Sequence, residues 1–180
     1  HPSVHMSLRL QLLQVARLAP RLLGKSADNV RDFLRSQLTE EGGGMDRDGN
    51  PDLYYTIFAL AGLQALDGKI PVDRVRNYLT SFGAGEDLDF VHLSALARCW
   101  AAIEKQGMPT ELPERILTRI EQFRKPDGGY EGDKKLKNGT AYGAFVALGA
   151  YEDLGQKPPD ILKLIQALKL LESKDGAWSN

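Results

Sequence analysis

The sequence predicts an all-α chain of repeated helix pairs, and three observations carry that expectation. Four similarly built segments recur at a spacing typical of helix-pair repeats; three of them are followed, after a turn, by a second and more apolar helix; and no sustained period-two run argues for strands. The four segments open Val30-Arg-Asp-Phe-Leu, Val75-Arg-Asn-Tyr-Leu, Ile116-Leu-Thr-Arg-Ile and Ile161-Leu-Lys-Leu-Ile, with steps of 45, 41 and 45 residues between their first positions.

Taken in order, the first apolar stretch is Leu8 to Leu23. Its apolar positions Leu8, Leu12, Val15, Ala16, Ala19 and Leu22 step in threes and fours, as in an amphipathic helix. Arg9, Arg17, Pro20 and Arg21 interrupt it, which excludes a secretory h-region. The residues ahead of it, His1 to Met6, read as vector-derived, so His1 and His5 receive no metal role. Residues 7–180 then form one repeat domain, expected to be the N-terminal part of a longer one.

Each repeated segment follows a helix-start signal: Ser26 and Asp28, Pro71 with Asp73, Pro113 with Glu114, and Pro158-Pro159-Asp160. After three of them come Gly42-Gly43-Gly44, Gly83-Ala-Gly85-Glu-Asp87 and Asp127-Gly128-Gly129. The second helices run Leu53 to Leu63, Leu93 to Ile103 and Ala141 to Tyr151. The first helix type carries Arg, Asp, Gln and Lys on one face and suits an outer, half-solvated layer. The second type is nearly uncharged and rich in Ala, Gly and Ser, which lets helices approach closely in an inner layer.

Composition narrows the function classes. Apolar residues make up 42% and charged residues 26%, an ordinary globular balance without a disorder signature. The formal net charge of −1, with acids and bases interleaved, gives no electrostatic reason to expect nucleic acid or an anionic membrane as a general partner. No apolar run reaches the roughly 20 residues of a transmembrane helix. A single cysteine, Cys99, excludes an intrachain disulfide, and the expected location is the cytoplasm.

Asp127-Gly128-Gly129-Tyr130-Glu131-Gly132, followed by Thr140-Ala141-Tyr142, resembles a repeat of protein prenyltransferase β subunits and squalene or oxidosqualene cyclases. Asp52-Leu53-Tyr54-Tyr55-Thr56 running into Phe58 to Leu63 resembles the inner helix of another such repeat. Ser173-Lys-Asp175-Gly176-Ala177-Trp178 is similar to the start of a further one. The resemblance implies an α/α toroid, present here as a partial ring of about three and a half helix pairs. It also implies inner helices around an apolar cavity for an isoprenoid. A second copy or a protein partner could close such a ring.

The same resemblance directs attention to particular residues. Tyr54, Tyr55, Phe58, Trp100, Tyr142, Phe145 and Tyr151 form an aromatic population on the inner helices, able to line an isoprenoid pocket or to fill a core. Tyr55 and Tyr142 are expected to face the lumen, because they match within the repeat, and Trp100 and His92 join them as lumen candidates. His92 has a structural histidine as its plainer reading. Lys134 and Lys135, with Lys137, stand near the family's basic diphosphate-binding positions, or else in a solvated loop. Asp87-Leu88-Asp89-Phe90 keeps the first two aspartates of the cyclase Asp-x-Asp-Asp motif. Asp89 is therefore either a general acid or a helix N-cap.

Prenyltransferases activate an acceptor thiolate with zinc held by an Asp-x-Cys pair and a distant His. Here the matching positions are Gly139-Thr140-Ala141, which cannot ligate it, and Ala97 precedes Cys99. No metal site is expected in these residues; zinc would need ligands beyond them. The expected function is prenyltransferase-like isoprenoid binding, with transfer of a prenyl group from a prenyl diphosphate as its reaction. A non-catalytic helical-repeat scaffold for a protein or lipid is the alternative, and a class II terpene cyclase the third reading.

Overall fold

A computed structural model describes residues 24–172. Among them are seven helices and one short β ladder: α1 Ser26–Ser36, β1 Gly44–Met45, β2 Pro51–Asp52, α2 Leu53–Ala65, α3 Val72–Thr80, α4 Phe90–Ala102, α5 Leu112–Glu121, α6 Ala141–Asp153 and α7 Ile161–Leu171. The helical expectation therefore holds, with one addition. The antiparallel ladder pairs Gly44 with Asp52 and Met45 with Pro51, and two residues per strand are too few to show as alternation. The expected helix over Leu8 to Leu23 and the segment Ser173 to Trp178 lie outside the described residues.

The two helix types alternate as predicted, and the second type is the more buried. Helix α2 buries six residues and α6 seven, whereas α1 buries only Ala27 and α3 only Val75 and Leu79. The chain forms two compact units. One holds residues 24–83 with Arg98–Pro109, the other Ala84–Ala97 with residues 110–172. In the first, α1 and the β ladder pack on α2, over a core that includes Leu60, Leu63, Val75, Leu79 and Trp100. In the second, α6 packs with α5 and α7 over Leu93, Leu96, Ile116, Ile120 and Leu164. Each of these side chains is fully removed from water, and burial of such groups contributes about 1.5–3 kcal/mol apiece.

The glycine turns are seats for the next helix of the first type. Gly42 has φ +98°, and a Cβ there would stand 2.2 Å from the Arg74 carbonyl oxygen of α3. Gly128 has φ +92°, and its Cβ would meet the Lys163 Cβ of α7 at 2.6 Å. Both need glycine twice over, for the left-handed backbone and for the close approach. Between them, the 83–87 turn is held by α5 through side chains. Arg119 donates to the carbonyls of Gly85 (3.0 Å) and Glu86 (2.6 Å), and Arg115 pairs with the Glu86 carboxylate at 2.8 Å.

These contacts correct the register of the fourth repeat. Arg74, Arg115 and Lys163 each touch the preceding turn, and each is followed by a fully buried residue: Val75, Ile116 and Leu164. The structural counterpart of Val75 is thus Leu164, three residues after Ile161, which is 42% exposed. A helical period cannot separate position i from i+3, so the repeat pattern alone admits either.

Candidate functional site

The three helices of the second type, α2, α4 and α6, are 13 residues long, and side chains immediately before them fix their starts. Asp52 Oδ1 accepts from the N–H groups of Tyr54 (2.8 Å) and Tyr55 (3.2 Å). Thr140 Oγ1 accepts from Gly143 N–H at 2.9 Å, and Asp89 Oδ1 from His92 N–H at 2.8 Å. Each side chain satisfies donors that a first turn leaves open.

Aligning the helices on these caps fixes the meaning of the aromatic residues. Trp100 falls in line with Leu63 and Tyr151, and all three are buried. The repeat uses that position for core volume, so Trp100 is closed to a ligand here. Tyr142 aligns with Tyr54 instead of Tyr55, a one-residue correction to the match read from the sequence. Tyr55 aligns with His92 and Gly143.

What remains on the surface is an aromatic face on each of two inner helices. On α2, Tyr54, Tyr55 and Phe58 are exposed, with Phe58 at 60%. Tyr54 sits edge-on to Phe58, ring centroids 4.9 Å apart, and to Tyr55 at 6.1 Å, the preferred geometry for aromatic pairs. On α6, Tyr142 and Phe145 are about half exposed, and the space above Gly149 is open. In the sequence, Phe58 and Phe145 stand out only as members of the aromatic population. Their exposure depends on helix rotation, which the nearly uniform apolarity of these helices does not reveal.

The polar candidates are arranged as follows. Asp89 and His92 are joined twice, through the backbone bond above and through His92 Nδ1 at 2.9 Å. Burial pushes the Asp89 carboxyl up, but the bonds from His92 outweigh it and hold the group below its ordinary value. Lys134 and Lys135 are exposed in the loop that leads to α6. That loop is braced at its start, where Lys125 Nζ donates to the Asp133 carbonyl at 2.9 Å and Asp133 Oδ1 accepts from Lys135 N–H.

A half-buried polar network, not anticipated from the sequence, holds the Asp-Gly-Gly-Tyr turn. Glu121 Oε1 accepts from the hydroxyls of Tyr130 and Tyr151, both at 2.6 Å, and Oε2 accepts from Arg124 Nε at 2.7 Å. Arg124 also donates to Tyr130 Oη, to the Pro159 carbonyl and to the Gly128 carbonyl, and lies over the Tyr130 ring at 4.6 Å. Burial raises the Glu121 carboxyl, but these three donors more than offset it, so the group lies below its usual range. Burial, reinforced by the Glu121 charge, drives both tyrosine hydroxyls far above their usual value. Every partner is satisfied and internal, so the network positions the turn and leaves no group to act on a substrate.

No group of three or more His, Cys, Asp or Glu residues able to hold a metal ion occurs among the described residues. No helix among them is long and apolar enough to cross a membrane. Comparison with known protein families, with curated proteins and with solved structures found no match.

Proposed function

We propose that the protein handles an isoprenoid or prenyl diphosphate, holding its apolar chain against an aromatic helix face, that of α2 or that of α6. The observation that carries this reading is the exposure of Tyr54, Tyr55 and Phe58 on α2, repeated by Tyr142 and Phe145 on α6. These helices are the most buried type in the fold, yet α2 and α6 show solvent five aromatic side chains between them. A polyprenyl chain would cover such rings without asking for hydrogen bonds. Lys134 and Lys135 supply cations for a diphosphate. If the protein transfers the prenyl group, zinc and its ligands come from outside the described residues. Cys99 is buried and in no disulfide, which suits a reducing compartment such as the cytoplasm.

A non-catalytic scaffold is the second reading, favoured by the way Asp89 and His92 bond to each other at a helix start. A carboxyl held below its ordinary value is also poorly placed to donate a proton, which counts against the cyclase reading. Titration with farnesyl and geranylgeranyl diphosphate tests the proposal. Binding should weaken about ten-fold for each of Tyr54→Ala and Phe58→Ala, the loss expected when one aromatic contact is removed. Absence of binding by either diphosphate sinks it and leaves the scaffold.

A further inference from the structure

Helix α7 departs from α3 and α5, and it exposes more large apolar residues than α1, which shows Val30 and Phe33. Helices α3 and α5 expose no large apolar residue, whereas α7 exposes Leu162 at 72%, Leu170 at 84%, and Ile161 and Ile165 at about 40%. Its buried side is Leu164 and Ala167, so Leu162, Ile165 and Leu170 occupy the arc that faces away from the core. The charge pattern is equally distinct. Between Ile161 and Leu171 there is no carboxylate, and both ionised residues, Lys163 and Lys169, are exposed among the leucines. By contrast α3 and α5 carry Asp73 and Glu114 in their first turns.

A second basic and apolar element is tied to the same place. The 124–129 turn seats Gly128 on Lys163 and donates from Arg124 to the Pro159 carbonyl, just ahead of α7. From that turn Lys125 braces Asp133, where the loop Lys134-Lys135-Leu136-Lys137 begins. All four of its residues are exposed, Leu136 at 46%. Around the two elements the carboxylates are Glu131, Asp133, Asp160 and Glu172, outnumbered by the three loop lysines together with Lys157, Lys163 and Lys169.

We propose that α7 and the 134–137 loop form a docking surface for an anionic lipid bilayer. Leu162, Ile165, Leu170 and Leu136 enter the interface, while the lysines extend along it to the phosphate and carboxylate headgroups. Exposed leucines alone would suit many partners. Lysines interleaved with them, on a helix without a single acid, select a negatively charged surface. The proposal shares Lys134 and Lys135 with the isoprenoid reading, but its variants fall on α7, which that reading does not use, so the two fail separately.

Co-sedimentation of the full chain with vesicles tests it, using phosphatidylcholine alone and phosphatidylcholine with phosphatidylserine. Binding is expected only to the anionic vesicles, and should fall as salt is raised. Lys163→Gln and Lys169→Gln should each weaken the partition about five-fold. Leu162→Ser with Leu170→Ser should abolish binding, and because both positions are exposed, the helical circular dichroism and melting temperature should stay unchanged. The proposal is overturned by equal binding to neutral vesicles, or by none to the anionic ones. It is also overturned if concentration-dependent dimerisation is what the leucine changes remove, which would assign the face to a second copy of the chain.

Discussion

The turns at 38–45 and 124–131 share one hydrogen-bonded skeleton and are built from opposite side chains. In the first, Thr39 N–H donates to Gly43 O, Gly42 N–H to Thr39 O and Met45 N–H to Gln37 O. In the second, Lys125 N–H donates to Gly129 O, Gly128 N–H to Lys125 O and Glu131 N–H to Phe123 O. Each ends in a bridge, Leu38 with Gly44 and Arg124 with Tyr130, so Gly44 and Tyr130 are counterparts. Both meet the start of an inner helix at very short range, and one side of that approach has to be glycine. The first turn supplies it itself: a Cβ on Gly44 would stand 2.6 Å from Thr56 N. In the second turn the helix supplies it, since a Cβ on Gly143 would stand 1.9 Å from Tyr130 O. Gly143 aligns with Tyr55 on the helix caps, so the glycine and the tyrosine have changed places between the two copies. What the repeat preserves is the backbone approach, not the identity of either residue.

The strongest test of that exchange is Gly143→Ala. The new methyl would meet a backbone carbonyl that is itself bonded to Thr140 N–H at 3.1 Å and cannot withdraw. A loss of about 3 kcal/mol or more is expected, a fall of roughly 6–12 °C in melting temperature for a chain of this size. Gly44→Ala should cost clearly less, having the more distant neighbour. Thermal unfolding of both variants measures the difference, and an equal or larger loss for Gly44→Ala would show that the two approaches are not equivalent.

The next effect separates the turns by their supports. At the position of Glu121 in the second copy, the first has Arg35, an exposed residue whose partner Asp32 lies 3.7 Å away. Removing Glu121 with alanine leaves two buried tyrosine hydroxyls and Arg124 without their shared acceptor, and should cost about 2–3 kcal/mol. Arg35→Ala should cost under about 0.5 kcal/mol, as exposed pairs do. Denaturant unfolding of the two variants would decide it; comparable losses would mean that the buried network contributes no more than a surface pair.

This contrast also shows what could be read from the sequence. The helices were legible because their starts carry Asp28, Asp73, Asp89 and prolines, and because α1, α3 and α5 are amphipathic with the expected period. Helix α7 was legible as a helix but misregistered by one turn. The inner helices were found but not oriented: apolar residues surround them on all sides, so no periodicity marks Phe58 as exposed or Trp100 as buried. The Glu121 network escaped because its members lie 3, 9 and 30 residues apart and meet only once α6 has packed on α5.

The smallest expected effect concerns pH and separates Tyr151 from its counterpart, Leu63. Buried beside the Glu121 carboxylate, the Tyr151 hydroxyl is held well above the ordinary tyrosine value of 10.0. Below pH 10 both folded and unfolded chains keep the proton, and the group's contribution to stability is fully present. Above pH 10 the unfolded chain releases it first, so the unfolded state binds fewer protons and stability falls as pH rises toward the folded value. Each such tyrosine adds a slope of at most about 1.4 kcal/mol per pH unit. Tyr130 behaves in the same way, and in the first unit burial pushes Tyr78 up to about 12. Tyr151→Phe should cost about 1 kcal/mol near neutral pH, for the lost bond to Glu121, and should make the alkaline decline shallower. Urea unfolding at pH 8 to 11 measures both quantities. An unchanged alkaline slope would mean that the Tyr151 proton is not held by the fold, and that the network owes its strength to Arg124 and Tyr130 alone.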